Sequence, residues 1–133
     1  MLRIAIPRAL LTEIESHAHA EAPRECCGLL AGCDGQIVAR YPLRNQSPDP
    51  EREYFAAPED LFIAMRRMRE KREQLVAIYH SHPRGPAYPS ATDLETSFYP
   101  EAVYLIVALT PKPEVRAFQL SHDTIMEILL VIE

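Results

Sequence analysis

The apolar run Leu75-Val76-Ala77-Ile78-Tyr79, leading directly into His80-Ser81-His82-Pro83, constrains this chain more than any other segment. Its length and β-branched content read as a buried strand ending at His80, and His82-Pro83 reads as its exit. On extended backbone, residues i and i+2 point the same way, so the imidazoles of His80 and His82 converge while Ser81 turns aside. Seven residues, Pro83 to Pro89, separate His82 from Ser90-Ala91-Thr92-Asp93. Across that Pro-rich segment Asp93 can close the set from the start of the next element. Two imidazoles and a carboxylate are the donors of a zinc site that keeps one position open for water.

Each part has a plainer reading. Ser90-x-x-Asp93 before Leu94-Glu95-Thr96-Ser97-Phe98 has the form of a helix N-cap with an acidic third residue. The joint occurrence of His-x-His at a strand end, a short loop and Ser-x-x-Asp at a helix start favours the metal site. His17-Ala18-His19 supplies an internal control. It lies within Pro7 to Ala22, where Ile6, Leu10, Ile14 and Ala18 recur at helical spacing, and i and i+2 on a helix diverge too far to share an ion. Those two histidines are expected to be solvent-facing or half-buried. Ser121-His122-Asp123 is expected to be a turn, because the members of a hydrolytic triad meet through separated segments.

At 133 residues the chain is expected to be one domain, 1–133, with a single core. A net charge of −5 argues against a sequence-independent nucleic-acid binder, and the basic run Arg66 to Arg72 reads as a solvated helix face. No apolar stretch approaches the roughly 20 residues of a membrane span, and Met1 to Pro7 is too short and interrupted for a signal peptide. A cytoplasmic location is therefore expected. Cys26, Cys27 and Cys33 are odd in number and lack a C-x-x-C pair, which suggests free or buried thiols rather than a disulfide framework.

Along the chain, a first helix is expected from Pro7 to about Ala20, stopped by Pro23. Cys27 to Ala31, the turn Gly32-Cys33-Asp34-Gly35 and Gln36 to Leu43 form a hairpin signature. Asn45 to Arg52 is a loop, and Pro58-Glu59-Asp60 opens a second helix with Leu61, Met65 and Met68 inward. Ser90 starts a short third helix. Val103 to Leu109 is continuously apolar, as for a central strand buried on both faces. Val115 to Leu120 and Ile125 to Ile132 complete the strands. Helices able to cover both faces of a mixed sheet suggest an α/β sandwich.

These residues resemble the JAMM metalloproteases, also called MPN+ or Mov34, and in particular their small bacterial single-domain members that process sulfur carriers. The family pattern is a glutamate beside an apolar strand, His-x-His-Pro, and then Ser-x-x-Asp. Here Glu25-Cys26-Cys27-Gly28-Leu29-Leu30, His80-Ser81-His82-Pro83 and Ser90-Ala91-Thr92-Asp93 meet it without departure. The resemblance implies that His80, His82 and Asp93 bind one Zn2+, that Glu25 is the general acid/base, and that Ser90 helps stabilise the oxyanion. From the residues alone, Glu25 is not distinguished from Glu21 or Asp34.

The implied fold is a cytidine-deaminase-like α/β/α sandwich. The implied activity is hydrolysis of an amide or isopeptide bond after the C-terminal Gly-Gly of a ubiquitin-like protein. A sulfur carrier protein is the expected partner, since the 40 residues after Asp93 leave little room for the insertions of eukaryotic deubiquitinases. A homodimer is compatible with this reading. The rival is a noncatalytic interaction domain of the same fold, in which motif residues are usually lost. A zinc nucleobase deaminase is disfavoured because His-x-Glu with Pro-Cys-x-x-Cys is absent from the sequence.

Overall fold

A computed structural model describes residues 3–121 and 123–133. The described chain opens with β1 (Arg3–Ile6) and α1 (Arg8–Glu21), followed by the hairpin β2 (Cys27–Cys33) and β3 (Gln36–Leu43). Next come α2 (Pro58–Glu70), β4 (Gln74–His82) and the short α3 (Ala91–Glu95). The last elements are β5 (Val103–Ala108), β6 (Glu114–Ser121) and β7 (Thr124–Ile132). The strands form one sheet in the order β1-β7-β6-β5-β4-β2-β3. It is mixed: β1–β7 and β4–β5 are parallel, and the other pairs are antiparallel. The outer strands β1 and β3 approach one another, so the sheet is curled.

Both faces are covered, which explains the continuous apolar run of β5. Val103, Leu105 and Val107 face Leu11, Ile14 and Ala18 of α1. Their neighbours Tyr104, Ile106 and Ala108 face the opposite core, which contains Ala64 and Met68 of α2. Leu94 of α3 packs against that second core as well. On α2 the innermost positions are Ala64 and Met68, whereas Leu61 and Met65 are half-buried. The hairpin turns at Asp34 and Gly35, with φ of 53° and 80°. That pair of positive φ values suits a two-residue loop whose twist matches its flanking strands.

Two expectations are corrected. Ile6 belongs to β1 and pairs with Ile132 of β7 rather than joining the inner face of the first helix. Pro7 separates the two elements as the residue before α1. A four-residue edge strand draws its stability from pairing with the far end of the chain, and helical periodicity continuing across Pro7 conceals it. Likewise β4 does not end at His80. It runs to His82 because Ser81 and His82 pair with Val107 and Ala108 of β5.

Candidate active site

His80 and His82 project from the end of β4 on the same side of the sheet. Ser81 points the other way, and its Oγ accepts from the Cys26 N–H at 2.8 Å. Asp93 stands in the first turn of α3. That helix is only five residues long and starts in a reciprocal cap. The Asp93 N–H donates to Ser90 Oγ at 3.1 Å, and the Ser90 N–H donates to Asp93 Oδ2 at 2.9 Å. The cap therefore fixes the carboxylate as well as the helix start.

The three side chains meet. His80 Nε2 and His82 Nε2 are 3.2 Å apart. His80 Nε2 lies 3.2 Å from Asp93 Oδ1, and His82 Nε2 lies 3.1 Å from Asp93 Oδ2. Ligands about 2.0–2.1 Å from one tetrahedral ion stand about 3.3 Å from each other, so the spacing suits a small divalent cation. The group is buried, and its ligand atoms all lie within 4.8 Å of one another, an arrangement that could hold a metal ion.

The surroundings prepare the donors. His82 Nδ1 lies 2.9 Å from the Pro86 carbonyl, which can only accept; donation from Nδ1 leaves the Nε2 lone pair of the neutral ring facing the cluster. His80 stacks on Tyr54 with centroids 4.6 Å apart and planes at 28°. Burial works to raise the Asp93 carboxyl, but the two imidazoles and the Ser90 N–H outweigh it and hold the group far below the usual range. Burial also works to lower His82, but its bonds to Asp93 and Pro86 raise it overall.

Glu25 lies just before β2, whose Cys27 pairs with His80. It is 4% exposed, and among the described residues its Oε1 has no hydrogen-bond partner. Burial pushes its carboxyl up to about 8; His82 opposes the rise, while Asp93, Glu53 and Asp49 add to it. Glu25, His82 and Ser90 line one cleft of about 560 Å³, with Glu51 and Arg52 on one wall and Tyr88 in the lining. The Ser90 Oγ serves the cap as an acceptor, so its own proton remains able to donate into the cleft. The arrangement thus brings together a donor set that could hold a cation, a buried carboxyl and a hydroxyl with its proton uncommitted.

The other sequence candidates are accounted for. His19 is exposed on α1, and half-buried His17 bonds through Nδ1 to the Tyr79 hydroxyl at 2.8 Å. Ser121 ends β6, while His122 lies outside the described residues. All three cysteines are free; Cys26 and Cys27 are buried and Cys33 is exposed. Sequence reasoning missed Tyr54 beneath His80 and the anchoring role of Ser81. Neither carries a local signal, because each acts on a residue from a distant segment.

The pattern of the family described as prokaryotic homologs of the JAB domain matches residues 7–121, and the chain belongs to that family. A relative from Thermus thermophilus, named "Probable TtuB-protein conjugate cleaving protease", is 42% identical over 71% of this chain and 63% of its own. The match thus spans just under two thirds of that protein. A desampylase from Haloferax volcanii is 32% identical over 94% of this chain and 90% of its own. A CysO-cysteine peptidase from Mycobacterium tuberculosis is 30% identical over 93% and 87%. A solution structure from Desulfitobacterium hafniense superposes with a TM-score of 0.87 at 32% identity, covering 98% of this chain and 92% of that one. The JAB1/MPN domain protein of Archaeoglobus fulgidus, at 20% identity, shares the fold with a TM-score of 0.61 over 97% and 98%.

Proposed function

We propose that this protein is a zinc metallopeptidase that cuts the amide bond after the C-terminal Gly-Gly of a ubiquitin-like sulfur carrier. One observation carries the reading: three metal-type donors converge beside a buried glutamate that has no hydrogen-bond partner for Oε1 among the described residues. The names of its relatives, which refer to a TtuB-protein conjugate and to CysO-cysteine, support hydrolysis of such a bond. The intact donor set speaks against the noncatalytic alternative. The same reading takes residues 1–133 as one catalytic domain of the cytoplasm, with the cytidine-deaminase-like arrangement of its family.

His80, His82 and Asp93 would hold the zinc. Held there, zinc would lower the pKa of a bound water toward about 7 and would polarise the carbonyl of the scissile bond. Glu25 accepts the proton of the attacking water at its carboxylate and passes it to the leaving amine. Burial above all holds the Glu25 carboxyl up at about 8, and positive charge held by the neighbouring donors would favour its ionised, proton-accepting form. The Ser90 hydroxyl donates to the carbonyl oxygen as negative charge develops there. Glycines before the bond leave room for the chain to pass Glu25.

The test is mass analysis of ubiquitin-fold carriers ending Gly-Gly-X or Ala-Ala-X after incubation with zinc-loaded protein. Release of X from the first carrier only, abolished by a chelator, is expected. Equal cleavage of both would leave a general peptidase, and no cleavage of either would remove the catalytic reading.

A further inference from the structure

We infer that Asn45 is a positioning residue for the general base, locking the backbone of Glu25 to the wall of the cleft. The inference rests on the catalytic reading of Glu25 given above. Among the described residues no side chain bonds to Glu25 Oε1, so its backbone and packing determine where the carboxyl sits. That backbone is held on both sides. The Glu25 N–H donates to the Pro50 carbonyl at 2.7 Å, and the Glu25 carbonyl accepts from Asn45 Nδ2 at 3.0 Å. The next residue, Cys26, is tied to β4 through Ser81 Oγ.

Asn45 is 5% exposed and uses both ends of its amide. Its Nδ2 also reaches the carbonyls of Glu53 at 3.1 Å and Pro50 at 3.3 Å. Its Oδ1 accepts from the N–H groups of Ser47 at 2.9 Å and Phe55 at 3.0 Å. Carbonyls surround the nitrogen and N–H donors face the oxygen, so only one amide orientation satisfies the site. One side chain therefore closes the loop between β3 and α2, which carries Glu51 and Arg52 of the cleft wall, and fastens it to Glu25. Aspartate would set an oxygen against three carbonyls, and glutamine is one carbon too long. His80, His82 and Asp93 make no contact with this amide, so the metal set is independent of it.

The experiment compares zinc-loaded wild type with Asn45→Ala, Asn45→Asp and the loop control Ser47→Ala. Ser47 Oγ bonds the Asp49 N–H and Glu53 within the same loop and does not touch Glu25. The Asn45 variants are expected to keep one zinc per chain and a KM within about twofold, while kcat falls on the order of 10²-fold, as for a displaced catalytic group. Amide exchange at Glu25 should accelerate while exchange at Ser81 and His82 does not. Ser47→Ala should lower the melting temperature and leave kcat per zinc unchanged.

An unchanged kcat in both Asn45 variants, or unchanged exchange at Glu25, would overturn the inference. Wild type offers a measurement that needs no variant to fold: the Asn45 side-chain amide protons should exchange slowly, and fast exchange counts against the lock. If wild type cleaves no carrier, the catalytic reading fails, while the Glu25 exchange data still report whether Asn45 holds that backbone.

Discussion

A buried carboxyl is normally paired, yet among the described residues Glu25 Oε1 meets no partner, and burial lifts the group from about 4.5 to about 8. At the scale of this residue the metal-free folded state holds its proton more tightly than the unfolded chain does. The resulting stability is fully present below about pH 4.5 and is lost as the pH rises through about 8. The raised His82 acts in the same direction, whereas the depressed Asp93 contributes stability above its ordinary range that is lost in acid. Chelated wild type should therefore lose melting temperature between about pH 5 and 8, and Glu25→Gln should flatten that slope. An identical slope in the variant would show that Glu25 is not the titrating group. With zinc present, Glu25→Gln should keep its metal and lose on the order of 10²–10⁴ in kcat, read by metal analysis beside a carrier cleavage assay.

At the scale of elements, α3 is too short to stand without its cap, and the capping bonds also aim Asp93 at the histidines. Ser90→Ala should cost about 0.5–2 kcal/mol of stability, and about 10²–10³ in kcat through the lost donor. Ser90→Thr, which keeps the hydroxyl, should recover most of both, as measured by denaturant midpoint and turnover. The packing of β2 on β4 sets a second constraint. A Cβ on Gly28 would overlap the ring of Tyr79, which is fully buried. The Tyr79 hydroxyl is already held by His17 and by Arg40, at 2.8 and 3.0 Å, so the ring has little room to yield. Gly28→Ala should destabilise by about 1–3 kcal/mol, with the shift in urea midpoint as the measure. A neutral result would mean that the β2–β4 contact is looser than its geometry indicates.

For the whole molecule, a metal on His80, His82 and Asp93 would join the end of β4 to α3 across the Pro83–Pro89 loop. Zinc at about 100 times its Kd should add roughly 2.7 kcal/mol to folding stability, raising the melting temperature over that of chelated protein. His82→Ala should abolish the difference, and its persistence would point to other ligands. Local chemistry was enough to read the histidines, the strand beneath them and the capped aspartate, because strand alternation and capping act over a few residues. The doubly buried β5 was equally legible from its unbroken apolar run. Periodicity could not show β1, whose partner β7 lies at the far end of the described chain, nor choose Glu25 over half-buried Glu21 and exposed Asp34. Those outcomes, with Tyr54 beneath His80 and Asn45 beside Glu25, depend on contacts between distant segments. The sequence by itself determined which donors stand at one strand end and one helix start. Only the curled sheet brought Glu25 into one cleft with His82 and Ser90, because burial and hydrogen bonding there are summed over several elements at once.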